Sequence, residues 1–166
     1  MTPFLRRAAL LALSVAPVAT TLAACGNAVD ADVIGTAAVT VASDGRPVAV
    51  VRVCGGEVDT IRLMGDRTGL AEDEPNPVVG TWRVPAGRDG TFDLVLGAAG
   101  TGWQGPQELA LDERRRYVLI AVDSGEDAET TQVSFTPDQL ASLAPDQVVV
   151  GDGEVVARTE LDACAG

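Results

Sequence analysis

The chain has 166 residues, with 24 acidic and 12 basic side chains, no histidine and a net charge of −12. Every basic residue is arginine. So acidic a balance repels nucleic acid and anionic lipid headgroups, and without His or Lys there is no Ser/His/Asp triad, Cys/His dyad, Ser/Lys pair, Schiff-base lysine or histidine-dependent proton transfer.

The N-terminus carries the parts of an export signal. Arg6 and Arg7 form a positive region, and an apolar run follows from Ala8 to Val18. Pro17 and Thr20-Thr21 interrupt it short of the roughly 20 apolar residues a spanning helix needs, so residues 1–24 are expected to be a cleaved signal peptide. Leu22-Ala23-Ala24-Cys25 resembles the lipobox of bacterial lipoproteins, an aliphatic residue and two small ones before cysteine. The resemblance implies that cleavage falls before Cys25 and that its sulfur takes a diacylglyceryl group, often with a further acyl chain such as palmitate on the new amino terminus. Residues 25–32 then form a short lipidated tether on the extracytoplasmic face of the cell membrane. Two or three acyl chains anchor stably where one binds only marginally. The alternative is an ordinary signal peptide cut after Ala24, with Cys25 an incidental thiol. The lysine-free composition with 18 glycines fits a high-GC, actinobacterial genome.

Cleavage leaves residues 25–166, one domain's length, with 10 arginines against 24 acids and therefore a charge of −14. An acidic domain so charged is held at the membrane by lipid against its own electrostatics. With Cys25 assigned to lipid, Cys54 and Cys164 remain as an even pair in an oxidising compartment and are expected to be joined. Two free thiols or a metal pair are the competing readings, and without histidine zinc or copper is poorly supplied with ligands.

Along residues 33–166 short apolar or β-branched runs alternate with turn signals. The runs fall at 33–42, 48–54, 57–64, 78–84, 91–96, 116–123, 130–135, 147–150 and 154–161. Between them lie turn clusters such as Ser43 to Pro47, Gly55-Gly56, Gly65 to Gly69, Pro85 to Gly90 and Gly151-Asp152-Gly153, where glycine or proline supplies the required φ. The pattern predicts an all-β antiparallel sandwich. Phe92, Leu94 and Leu96 form one inner face, and Val155, Ala157, Thr159 and Leu161 another. Cys54 shares its face with Arg52, and Cys164 shares its parity with Arg158, Glu160 and Asp162, so the bridge should staple an edge or a chain end outside the core. Thr136-Pro137-Asp138-Gln139 predicts one short crossover helix, with Leu140 and Leu143 as its apolar edge and Pro145 beyond its end. Residues 97–110 read as the longest irregular loop.

Leu111 to Tyr117, a leucine six residues before a tyrosine that opens a strand, resembles the tyrosine corner of fibronectin type III and immunoglobulin-like sandwiches. The resemblance implies an immunoglobulin-like fold in which the Tyr117 hydroxyl bonds back to the connecting backbone. Glu113 and Arg115 stand where that motif usually has proline or glycine. Trp82 shares a face with Val78, Gly80 and Val84 and is expected in the core. Trp103, set among glycines, is the candidate for an exposed contact with a sugar or a partner.

Chemistry in such a chain falls to carboxylates. Glu72-Asp73-Glu74, Asp112-Glu113, Glu126-Asp127 and Asp152-x-Glu154 are solvated turn charges or, alternatively, sources of a glycosidase-like pair. Asp123-x-x-Glu126-Asp127 is the best local calcium candidate, and it departs from the twelve-residue calcium loop. No metal, cofactor or nucleic acid is expected. The leading expectation is a non-enzymatic, lipid-anchored module that binds or supports an envelope protein or glycan. The alternatives are a carboxylate hydrolase of cell-wall glycans and a carrier with a small ligand between its sheets.

Overall fold

A computed structural model describes residues 31–98, 102–125, 127–162 and Cys164. The expected signal peptide at 1–24, Cys25, the expected tether as far as residue 30, and Glu126 lie outside the described residues. The protein is mostly β. Strand β1 spans Asp32–Val41, β2 Pro47–Gly65, β3 Val78–Val95, β4 Tyr117–Asp123, β5 Ala128–Thr131 and β6 Val133–Phe135. Helix α1 covers Pro137–Ala141, β7 Gln147–Val150 and β8 Glu154–Ala157, and a 3-10 helix at Arg158–Asp162 follows.

The strand β2 organises the sheet. One of its edges pairs with β3, while the other pairs first with β1 and then, from Thr60 to Gly65, with β4. The far edge of β1 pairs with β5 and, further along, with β7; β4 in turn pairs with β5 and β6. The circuit β1-β2-β4-β5-β1 therefore closes on itself, giving barrel-like closure, and β7 and β8 extend from β1. This corrects the expectation of two purely antiparallel sheets in one respect: β5 lies parallel to β1.

The physical reason lies in two glycine-bearing stretches expected to be turns. Gly55-Gly56 and Pro85 to Gly90 do not end strands; β2 and β3 run through them together, with the register slipping between Val53 and Val58. Gly56 (φ 71°) and Gly90 (φ 65°) sit in the left-handed region, which glycine occupies without steric cost. The result is a bulged corner that bends both strands and hands β2 from β1 to β4. A strand that turns such a corner belongs to both layers, and the sheets join.

One core fills the inside. Trp82, Phe135, Ile61, Leu63, Leu94, Leu96 and Leu119 are fully buried there, each side chain of this kind gaining about 1.5–3 kcal/mol from burial. Trp82 and the inner faces of Leu94 and Leu96 are thus as expected, with Phe92 packed at the margin. Gly80 lies under the Trp82 ring, where an added Cβ would come within 2.6 Å of the indole. A second, smaller cluster lies on the other face of β1 and β2, formed by Ala38, Val48, Val50, Val148 and Leu161.

The end of the chain departs from the alternation expected at 154–161. β8 stops at Ala157 and the backbone coils, so Val155 is 42% exposed and Val156 packs on the second cluster instead. Leu161 reaches that cluster from the 3-10 helix. The crossover helix forms as expected: the Thr136 hydroxyl accepts from the Gln139 N–H at 3.2 Å, Pro137 opens the first turn and Leu140 is buried. The Gln139 side chain does not close a capping box; its Nε2 donates to the Gly153 carbonyl at 2.6 Å and ties the helix to the β7–β8 turn.

Candidate functional site

Cys54 and Cys164 lie at one end of the sheet, at the bulged corner. Register places Gly35 opposite Val53, so the first residues of β1 lie beside Cys54. Cys54 and Cys164 stand at disulfide distance, their Cα atoms 5.7 Å apart across 110 residues of sequence, and both are exposed. The pair lies outside the core, as the shared face of Cys54 and Arg52 implied. Cys54 stands on β2, a strand paired on both sides and not a sheet edge, and the pair catches the C-terminal segment. The final segment is a strap over the second cluster. Arg158 pairs with Asp93 of β3 at 2.6 Å, Leu161 is buried, and Arg52 Nε lies 3.4 Å from Cys164 Sγ. A cavity of about 450 Å³ opens beside the pair, lined by Val33, Ile34, Cys54, Thr131 and Cys164 among others. Val33 is 64% exposed.

Next to this end, the β4–β5 turn is tied to β2. Ser124 donates to the Asp59 carboxylate from both its N–H and its hydroxyl, and Gly125 N–H donates to Asp123 at 2.9 Å. Partial burial pushes the Asp59 carboxyl up, but hydrogen bonds, those of Ser124 foremost with Thr60 and the backbone adding to them, together outweigh it and hold the group below the usual aspartate range. At the β1–β2 turn the hydrogen-bonded Arg46 guanidinium holds Asp44 low in the same way. Asp127 takes φ 52° in the turn. Among the described residues no group of three or more Cys, Asp or Glu side chains is placed to hold a metal ion. The calcium candidate includes Glu126, outside the described residues.

Trp103 is not the exposed aromatic that its glycine-rich surroundings implied. It is 9% exposed and stacks on Phe92, ring centroids 5.7 Å apart. The loop is drawn onto the sheet by backbone bonds between Gln104 and Arg83 in both directions, and the Trp82 indole donates to the Pro106 carbonyl at 3.2 Å. Burial of two indoles against one loop decides its position, so Trp103 offers no free face to a sugar or partner.

Tyr117 is buried, and its hydroxyl accepts from the Asp112 N–H at 2.8 Å, the back-bond to the connecting segment expected of a corner tyrosine. Among the other acids, Glu74 accepts from the Ala71 N–H and Asp112 from the Arg114 N–H; each satisfies its own turn. Two features escaped sequence reasoning. The Asp59–Ser124 link joins residues 65 apart, with no local signal. Three successive arginines at 114–116 were visible but read only as part of the corner.

The fold and this end of it define a class: an all-β, barrel-closed domain whose first strand and last residues meet at one pole. No family model, curated protein or solved structure matches the chain.

Proposed function

We propose that this protein is a lipid-anchored extracytoplasmic module, immunoglobulin-like in fold, which binds or supports another envelope component and is not an enzyme. The observation that carries the reading is the meeting of the start of β1 with the Cys54–Cys164 pair. Asp32, seven residues after Cys25, opens β1 beside the Cys54–Cys164 pair. A lipid on Cys25 would therefore hold the corner end toward the bilayer and turn the loop at residues 66–77 and the Asp112–Arg115 turn outward. The exposed cysteine pair suits an oxidising compartment. The Tyr117 hydroxyl bond supports the immunoglobulin-like relationship, while the closed ring marks a departure from it.

The two alternatives receive less support. A glycan hydrolase needs a carboxyl raised toward neutrality to serve as general acid, whereas the shifted carboxyls, Asp44 and Asp59, are both lowered. A carrier needs space between its sheets, and that space is occupied by Trp82, Phe135, Leu63 and their neighbours.

Growth of a producing bacterium with labelled palmitate tests the anchor. The wild-type chain should carry label and partition with membranes, and Cys25→Ala should carry none. Label retained in that variant, or a wild-type chain without label, would reject the reading.

A further inference from the structure

The pole opposite the chain ends carries a feature that the anchoring argument does not use. From Asp123, paired near Asp32 through Ala128, strand β4 runs back to Tyr117, a separation of about 20 Å at 3.3 Å per residue. There a cavity of about 350 Å³ is lined by Asp66, Thr68, Leu70 and all three of Arg114, Arg115 and Arg116. In an extended strand three successive side chains alternate between faces. Here the Asp112–Arg115 turn, closed by Arg115 N–H to the Asp112 carbonyl at 3.0 Å, brings all three to the same cavity.

The two nearest aspartates accept hydrogen bonds within their own turns. Both Asp66 oxygens accept from Thr68, one from its N–H at 3.2 Å and one from its hydroxyl at 2.8 Å. One Asp112 oxygen accepts from the Arg114 N–H, and the other lies 3.9 Å from Arg115 Nε. Among the described residues the Arg114 and Arg116 guanidiniums make no ion pair and no side-chain hydrogen bond. By contrast Arg46, Arg67 and Arg158 are each bonded to neighbouring oxygens.

We propose that this cavity binds a phosphate-class oxyanion, a phosphate monoester or diester. Guanidinium forks match tetrahedral oxyanions with paired N–H donors, and Leu70 with Pro77 offers an apolar wall for the carbon part of such a ligand. The chain's overall acidity does not prevent this. Charges more than about 8 Å away are screened at physiological ionic strength, so the local field is that of three arginines against Asp66 and Asp112, one positive charge in excess. A phosphate on a soluble molecule or an envelope polymer is the assigned source, because the lipid reading above turns this pole away from the bilayer; that clause alone rests on the anchor.

Calorimetric titration of the full chain in detergent with glycerol 3-phosphate tests the site, whether or not Cys25 is acylated. Saturable binding is expected, weakened about tenfold or more in Arg114→Gln/Arg116→Gln, since each lost charged hydrogen bond carries about that factor. Arg83→Gln/Arg88→Gln changes net charge equally on an exposed part of β3 and should bind as wild type. Absence of saturable binding, or equal loss in both double variants, overturns the site. Repeating the titration in nanodiscs of phosphatidylcholine, with and without phosphatidylglycerol, tests the source. Unchanged affinity supports the outward assignment, and competition by phosphatidylglycerol would make the lipid headgroup the ligand and overturn it.

Discussion

Tyr117 shows how much one polar atom decides in an apolar setting. Its ring is buried against Phe135, centroids 6.0 Å apart, and its hydroxyl takes the Asp112 N–H. Tyr117→Phe keeps the ring and strands that donor, so a loss of about 1 kcal/mol is expected in chemical denaturation. Asp59 gives a prediction in pH. Because its folded pKa lies below the ordinary value, its contribution is present above the usual aspartate range and is lost as pH falls through the lowered folded value. Asp59→Asn should therefore flatten the acid limb of the stability curve and leave its neutral part lower; an unaltered acid limb would contradict the role given to Ser124. The Tyr117 back-bond was expected from the corner resemblance, whereas the Asp59–Ser124 pairing was not legible in sequence, because the two meet only through the register of β2 on β4.

At the scale of elements, the strands were legible nearly to their ends. Runs at 33–42, 116–123 and 147–150 became β1, β4 and β7 with shifts of a residue at most, and Thr136-Pro137 marked α1. Their signals are local: β-branched content, a capping hydroxyl, a proline at the first helical position. The joining of 48–54 to 57–64, and of 78–84 to 91–96, was not legible. Glycine permits a turn and a bulge alike, and only the partner strand selects between them. Gly56→Ala puts a Cβ at φ 71° in this corner and should cost about 1–2 kcal/mol in a denaturation midpoint; Gly55→Ala, without a positive φ, serves as the comparison and should cost less. The inversion at β8 has a similar cause, since alternation assumes a strand that continues, and the chain coiled at Arg158 to cover the second cluster.

For the whole molecule the cysteine pair and the terminal strap act together. A bridge across 110 residues stabilises by up to about 4–5 kcal/mol through the unfolded chain, less any native strain. Cys164→Ser should lower stability toward that figure under non-reducing conditions, and should also loosen Leu161 from Ala38, Val48 and Val148. Hydrogen exchange would register this as faster exchange confined to residues 158–164 and the β7–β8 pair. If wild-type stability does not respond to reductant, the pair is not a bridge in solution.

Sequence by itself determined the class of the chain: all-β, acidic, without histidine or lysine chemistry, with Cys54 and Cys164 matched to each other and Cys54 kept off the core by strand parity. The proposal of a lipid anchor on Cys25 rests on sequence too, through the lipobox resemblance of residues 22–25. These are properties of composition and of neighbours along the chain, where charge, periodicity and capping act locally. Tertiary structure alone decided that the sheet closes, that Trp103 is covered and that Arg114 to Arg116 share one cavity. Each of these depends on which distant strand pairs with which, and that choice is set by the joint burial of side chains far apart in sequence.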